Sequence, residues 1–222
     1  MMIVTIDGPA GAGKSSAATA LAAKLQFDYL DTGATFRALT LAALRSKMDA
    51  DDDSRWNQLF AETQIEIKSG RVILNGEDVT HLLRDPRISQ LASTIATKPI
   101  VREHLAKLQR EIAKDKNIVC EGRDQGTVVF PNAAVKFFLH ADPQERARRR
   151  QRQLAAKGKV INLATVFQEI QERDERDATR AIAPLKAAQD AFQRESGSSP
   201  VDQPRMRSAM GSATSGAFSA IS

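Results

Sequence analysis

The sequence predicts an α/β protein in which helices flank a mostly parallel sheet. Strand and helix signals alternate at the short spacing typical of βαβ units, and a glycine-rich turn separates the first strand from the first helix. The chain has 222 residues, 42% hydrophobic and 27% charged, which is enough for one hydrophobic core without disulfides or structural metals.

The chain begins with two predicted strand–helix pairs. The β-branched residues 3–6 indicate the first strand. A helix follows, because apolar residues recur at i, i+3, i+4 and i+7 from Ala18. Residues 27–30 predict a second strand, and Asp31 then offers N-cap chemistry for a helix that ends near Leu44.

The periodicity changes in the middle of the chain. Ile65 and Ile67 alternate with polar residues, and the pair Asn75-Gly76 is a strong hairpin signal. We therefore expect a small antiparallel insertion over about residues 62–82.

The second half returns to helices and buried strands. Apolar periodicity predicts helices over residues 88–95 and 101–112, and short apolar runs predict strands at 118–120 and 135–139 with a loop after the first of them. A further helix should begin after Asp142, which precedes Pro at N1 and Glu at N3.

The end of the chain differs in composition. Residues 193–222 contain no Lys and no apolar periodicity, and they are rich in Ser, Gly and Ala. Such a segment buries too little apolar surface to offset its ordering entropy. We therefore expect a folded domain over residues 1–192 and a disordered tail after it.

Composition narrows the function classes. The single cysteine, Cys120, excludes a disulfide framework. No apolar run approaches the ~20 residues that span a bilayer, and no secretory pattern precedes the first strand; we expect a cytoplasmic protein. The net charge of +5 indicates anionic partners such as nucleotides, phosphometabolites or nucleic acid.

The glycine-rich turn matches the phosphate-binding pattern G-x-x-x-x-G-K-[ST] between a strand and a helix. Its backbone N–H groups can turn inward around a polyphosphate, and the following helix adds the positive end of its dipole. The alternative, a structural glycine turn, is disfavoured because pattern and context agree. The segment consists of Gly8, Pro9, Ala10, Gly11, Ala12, Gly13, Lys14, Ser15 and Ser16.

This motif predicts a nucleoside triphosphate site that also binds Mg²⁺. Lys14 can reach the β- and γ-phosphates, and the Ser15 hydroxyl is a candidate Mg²⁺ ligand.

Several arginines follow the motif at helical spacing. Arg146, Arg149 and Arg150 lie on one predicted helical face. A solvated basic face is the ordinary interpretation of such a run. Beside a triphosphate site, a mobile lid over about residues 144–160 is the alternative, because its arginines could neutralise a phosphoryl group in transfer.

A later helix directs charged residues toward the protein body. Val166 and Ile170 define its apolar stripe, and the same line carries Arg173, Asp177 and Arg180. These side chains could form a structural ion pair or bind ribose hydroxyls and phosphates.

Four segments resemble the bacterial cytidylate (CMP/dCMP) kinase family of P-loop nucleoside monophosphate kinases. They are TIDGP at 5–9, LDTGATFRA at 30–38, EGRDQGTVVFP at 121–131 and ERDERD at 172–177, followed by RA at 180–181 and APL at 183–185. The resemblance covers about residues 2–192. It implies a P-loop NTPase-type fold and Mg²⁺-assisted transfer of a phosphoryl group from ATP to CMP or dCMP. We expect a monomer that acts on these small molecules and not on nucleic acid or membranes.

The resemblance also implies roles for matching residues. Ser93, Arg102 and Asp124 would read the cytosine edge; a carboxylate accepts from the cytosine amino group, whereas uracil presents an acceptor there. The acceptor phosphate would contact Arg37, Arg123 and Arg180 near Thr32, and the ribose would contact Arg173 and Asp177. The lid over ATP would carry Arg149 and Arg150, with Arg146 as a further candidate. The groups expected to act on the transferred phosphoryl group are Lys14, Arg123, Arg149, Arg150 and Arg180.

Two departures from the family pattern stand out. Thr35-Phe36 replaces an apolar residue and Tyr, and the chain from Gln193 onward supplies neither the β-branched strand nor the terminal helix of the family. The second departure predicts reduced stability and weak activity.

Rival interpretations are another small P-loop kinase acting on UMP, AMP or a non-nucleotide, and an inactive nucleotide binder. A nucleic-acid-binding protein is disfavoured, because only 5% of residues are aromatic and single-strand binding relies on stacking.

Overall fold

Within the described residues, the central sheet has five strands in the order β2-β6-β1-β7-β8, and every neighbouring pair is parallel. The computed structural model describes residues 1–50, 52–68, 70–156 and 158–195. The sheet strands are β1 (Ile3–Asp7), β2 (Asp28–Asp31), β6 (Ile118–Gly122), β7 (Val135–His140) and β8 (Phe192–Glu195). The strands on either side of β1 are reached by separate crossovers, which creates a crevice at the carboxyl ends of the strands.

Seven α-helices occur in the described part of the chain. They are α1 (Lys14–Leu25), α2 (Thr32–Arg45), α3 (Trp56–Glu62), α4 (Pro86–Ile95), α5 (Pro99–Ala113), α6 (Pro143–Ala155) and α7 (Leu163–Thr179). Capping residues in the sequence determine where several of these helices begin. The Asp31 carboxylate accepts from the Ala34 N–H at 3.1 Å, and Asp85 and Asp142 cap helices whose first residue is proline.

The predicted insertion is confirmed as a second, antiparallel sheet in the order β3-β4-β5. Its strands are β3 (Ile65–Lys68), β4 (Arg71–Leu74) and β5 (Glu77–Asp78). Asn75 and Gly76 both have positive φ, at 49° and 84°, as the hairpin signal predicts.

Two main apolar clusters hold the fold together. One joins α1 to strands β1, β6 and β7, with Val4, Ile6 and Ala18 fully buried. The other packs α2 against α3, α4, α5 and the small sheet, with Trp56 and Leu105 at its centre. The helix around Trp56 was not predicted from the sequence; a short helix shows too few turns of periodicity to be distinguished.

The prediction that no strand follows Gln193 is wrong for the described residues of this segment. β8 pairs with β7 from Phe137–Phe192 to His140–Glu195, Phe192 packs against Phe137 with ring centroids 5.8 Å apart, and Lys136 pairs with Asp190 at 2.8 Å. The polar residues of β8 suit an edge strand, which needs no continuous apolar run. The disorder predicted for residues 196–222 concerns residues outside those described.

One predicted loop is also shorter than expected. Glu121 and Gly122 belong to β6, and Gln125–Val129 forms a short π-helix. Among the described helices, none has the length and apolar character needed to cross a membrane.

Candidate active site

The carboxyl ends of β1, β2 and β6 open into one cavity of about 270 Å³. It is lined by the glycine-rich loop, the start of α2, one face of α4 and the inward side of α7. The sequence-predicted residues that line it are Ala10, Gly11, Lys14, Ser15, Thr32, Arg37, Ser93, Arg102, Arg123, Asp124, Arg173, Asp177 and Arg180. The structure therefore brings all the predicted acceptor-binding residues to one place. A larger depression of about 750 Å³ lies between α2 and α4, but it contains none of these residues.

The glycine-rich loop has the geometry of a phosphate cradle. Gly11 and Gly13 adopt positive φ at 76° and 83°, and a side chain at Gly8 would lie 2.3 Å from the Leu139 carbonyl oxygen. Lys14 is buried, and its ammonium donates to the Pro9 carbonyl at 2.7 Å. The remaining loop residues, Gly8, Pro9, Ala12, Gly13 and Ser16, are not among the described residues that line the cavity.

The environment of the Lys14 ammonium favours the binding of an anion. Burial, followed by the charge of Arg123, lowers the pKa of Lys14 well below its usual range, while Glu121 acts in the opposite direction. A bound phosphate would raise the pKa of Lys14, because an adjacent negative charge favours the ammonium form.

Glu121 lies beside the loop as a buried acid. Burial, followed by the charge of Asp31, raises the pKa of Glu121. Its carboxylate accepts hydrogen bonds from the hydroxyls of Tyr29 and Ser15. Glu121 thus links the loop to the end of β6, next to Thr32, whose hydroxyl donates to the Glu121 carbonyl at 2.6 Å.

The cavity wall includes a buried ion pair. The Arg102 guanidinium donates to the Asp124 carboxylate, and the two side chains are only 8% and 5% exposed. Arg102 also donates to the Ala96 carbonyl at 3.1 Å and lies 5.7 Å from the centre of the Phe36 ring. The Ser93 hydroxyl, which lines the same cavity, accepts from Arg176 at 3.1 Å.

The other groups form an arginine cluster around one acid. Arg123 donates to Asp177 at 2.9 Å, and Arg180 lies 3.6 Å from the second oxygen of that carboxylate. Burial opposes ionisation of Asp177, but Arg123 and Arg173 together hold the pKa of its carboxyl below the usual value.

This cluster has spare hydrogen-bond donors. Among the described residues, the Arg173 Nε and Arg180 Nη2 atoms are buried and have no hydrogen-bond partner. Burial, followed by the charge of Arg123, lowers the pKa of Arg173 to about 10, so it remains a cation near neutral pH. Buried unpaired donors on cations are costly, and an anion in the cavity would satisfy them.

The arginines of α6 do not line this cavity, although the charge of Arg150 contributes to the lowered pKa of Arg173. Arg149 and Arg150 are not among the described residues that line it, and Arg149 pairs with Glu145 at 3.1 Å. Arg146 is buried and connects the glycine-rich loop to α7. It donates to the Ala10 carbonyl at 3.1 Å and to the Asp174 carboxylate at 2.5 Å. The predicted lid role of Arg149 and Arg150 stays a prediction.

Sequence reasoning missed several cavity residues. Asp31, taken only as a helix cap, also pairs with Arg37 at 2.6 Å, and Phe36 forms part of the wall. The face of α4 that lines the cavity consists of Ser89, Ala92, Ser93 and Ala96. These positions follow i, i+3, i+4 and i+7, so helical periodicity could have revealed the small residues around Ser93.

The parallel sheet, the phosphate cradle and the adjacent cationic cavity define a P-loop phosphotransferase. The sequence model of one such family, described as cytidylate kinase, matches residues 4–203. The chain belongs to the cytidylate kinase family.

Two individual cytidylate kinases support the same family assignment. The chain is 50% identical to the cytidylate kinase of Solibacter usitatus over 192 residues, 86% of this chain and 83% of that one. It is 48% identical to that of Carboxydothermus hydrogenoformans over 195 residues, 86% and 88% of the two chains. A solved shikimate kinase from Bacteroides thetaiotaomicron has a TM-score of 0.43 and 16% identity, covering 94% of this chain and 93% of that one.

Proposed function

We propose that this protein transfers the γ-phosphoryl group of ATP to CMP and dCMP. The observation that carries the proposal is the arrangement of one cavity. The buried Arg102–Asp124 pair lines this cavity, the cluster of Arg123, Arg173 and Arg180 borders the same space, and Lys14 lines it from the glycine-rich loop.

The ion pair suits a cytosine edge. Asp124 can accept a hydrogen bond from the exocyclic amino group of cytosine, and Arg102, which holds Asp124, can donate to ring acceptors. Uracil would place a carbonyl oxygen against the carboxylate, and the resulting repulsion favours cytosine. The Ser93 hydroxyl lies on the wall of the same cavity and would add a contact to the nucleoside.

The arginine cluster suits a phosphate and a ribose. The buried spare donors of Arg173 and Arg180 can bind anionic or hydroxyl oxygens, and Arg37 reaches the same cavity from α2. Asp177 can accept from ribose hydroxyls while it keeps the neighbouring guanidinium groups in place.

No protein nucleophile is required for the transfer. An oxygen of the CMP phosphate attacks the γ-phosphorus in line, and the protein supplies alignment and charge stabilisation. Lys14 and Arg123 offset the negative charge that spreads over the transferred group. Arg149 and Arg150 would join them if α6 and the segment after it close over ATP, and closure would also exclude water as an acceptor.

The loop also offers donors that fit Mg²⁺. In the described ranges, no group of three or more His, Cys, Asp or Glu residues could hold a metal ion, whereas Mg²⁺ in kinases uses few protein oxygens together with substrate phosphates and water. The Ser15 hydroxyl, bonded to Glu121, would hold the ion from the protein side. When bound, Mg²⁺ would neutralise part of the negative charge of the ATP phosphates.

The test is an ADP-release assay with equal concentrations of CMP, dCMP, UMP and AMP. We expect kcat/KM for CMP and dCMP to exceed that for UMP and AMP by about tenfold or more, the value of one charged hydrogen bond. K14M is the control for background ATPase activity. Equal or higher kcat/KM with UMP would contradict the proposed acceptor, and release of ADP without any acceptor would indicate a different class of activity.

A further inference from the structure

The Asp7 carboxylate lies directly behind the segment that carries Arg123 and Asp124. Asp7 is the last residue of β1 and only 4% exposed, and it is not among the described residues that line the cavity. Its two oxygens accept from the backbone N–H groups of Gln125 at 2.9 Å and Gly126 at 2.7 Å.

These two bonds control the backbone next to Asp124. The Gln125 N–H belongs to the peptide plane that joins Asp124 to Gln125, so the bond from Asp7 restrains the ψ angle of Asp124. The two N–H groups also begin the short π-helix, where they lack helical partners. Asp7 therefore satisfies them and fixes the direction in which the Asp124 side chain leaves the backbone.

The segment is also seated tightly on β1. A side chain carbon added at Gly126 would lie 2.9 Å from the Thr5 hydroxyl and 3.1 Å from the Lys136 side chain. At the other end of the π-helix, Arg110 donates to the carbonyls of Val128 and Val129 at 3.0 Å each. The turn is thus held at both ends, and only the Asp7 end adjoins the cavity.

Burial of the negatively charged Asp7 carboxylate is unfavourable in free energy. Burial raises the pKa of Asp7 to about 6, although the two backbone hydrogen bonds act against that rise. An Asn side chain would avoid the cost of a buried charge, but it has only one oxygen to accept the two N–H groups.

We propose that Asp7 is a positioning residue that sets the choice of acceptor base. It holds Asp124 against Arg102, and because Asp7 immediately precedes Gly8 it also ties the acceptor-reading segment to the phosphate cradle. This inference rests on the proposed function, in which Asp124 reads cytosine.

The test compares D7N with the unchanged protein for CMP and UMP. In D7N the side-chain NH₂ faces a backbone N–H donor, which should displace the turn. We expect kcat/KM for CMP to fall about tenfold or more, mainly through KM for CMP, and the CMP:UMP preference to move toward one. The KM for ATP should change less than the KM for CMP, because both hydrogen bonds of the Asp7 side chain go to the acceptor-reading segment, whereas Lys14 is affected through the charge of Asp7.

R110Q is the matched control, since it releases the other end of the same turn. It should lower the melting temperature and leave the CMP:UMP preference unchanged. G126A is the second variant, because the added methyl group displaces the same turn while Asp7 remains; it should also shift the preference. If D7N does not purify as a folded protein, the CMP:UMP preference measured with G126A tests the inference in its place.

The outcomes separate the two proposals. A folded D7N with a lower melting temperature but an unchanged CMP:UMP preference would show a purely structural role and overturn this inference. The same holds for G126A with an unchanged preference. If the unchanged protein shows no preference for CMP, the proposed function fails first, and this inference fails with it.

Discussion

Replacing Asp124 by Asn removes the charge of the base-reading pair while it preserves the size of the side chain. Asp124 and Arg102 are almost completely buried, with side chains 5% and 8% exposed. The substitution leaves the Arg102 guanidinium without a counter-charge and weakens the contact that we assign to the cytosine amino group. It should therefore affect both stability and the choice of acceptor.

The expected magnitudes follow from the burial of the pair. Breaking a buried ion pair typically costs about 3–5 kcal/mol of unfolding free energy, and Asn should lie at or below the lower end because its oxygen still accepts from Arg102. A hydrogen bond to a charged group contributes about 1.5–3 kcal/mol. Its loss should lower kcat/KM for CMP by about 10- to 150-fold, while kcat/KM for UMP falls much less.

The assay measures initial rates of ADP release with CMP and with UMP, alongside urea denaturation. E77Q is the control, because Glu77 of β5 forms an exposed pair with Arg45 at 2.7 Å and is not among the described residues that line the cavity. It should change the acceptor preference by less than about twofold. A folded D124N protein that keeps the CMP:UMP preference of the unchanged chain would refute the assignment of Asp124.

Three further outcomes are expected. Because burial raises the pKa of Asp7 to about 6, the folded state binds more protons than the unfolded state between pH 4 and 6. The free energy of unfolding of the protein with Asp7, measured relative to that of D7N, should therefore fall by about 1.4 kcal/mol from pH 5 to pH 7.5. A difference between the two proteins that stays constant over this pH range would contradict the assignment. R150A should lower kcat about tenfold or more with little change in KM for CMP. R148A, which changes an exposed residue of the same helix, should leave kcat unchanged, and equal kcat values for the two variants would contradict the lid role of Arg150. F192A should cost about 1–3 kcal/mol in urea denaturation, less than a fully buried Phe, because Phe192 packs on Phe137 but is only half-buried; an unchanged midpoint would show that β8 contributes nothing.

Local patterns predicted most of the fold. The cap at Asp31, the Asn75-Gly76 turn and the proline-started helices act over a few residues, so the sequence reveals them directly. The inward line of Arg173, Asp177 and Arg180 was predicted by the same logic, because it continues an apolar helical stripe.

Long-range contacts could not be predicted in this way. The bonds from Asp7 to the turn after Asp124 join residues more than a hundred positions apart, and no local pattern encodes them. The edge strand β8 was missed for a related reason: its four residues gain order from the exposed edge of β7 and not from their own apolar content. Asp31 and Arg37, which form an ion pair, are six positions apart. This spacing differs from the i, i+3 and i, i+4 spacings of neighbouring side chains on a helix.

A crystal structure of the protein with CMP tests the central claim most directly. It should place the exocyclic amino group of cytosine about 3 Å from the Asp124 carboxylate, with the phosphate bound by Arg123 and Arg180 on the side of Lys14. A cytosine ring outside this cavity, or a phosphate seated against Asp124, would contradict the account.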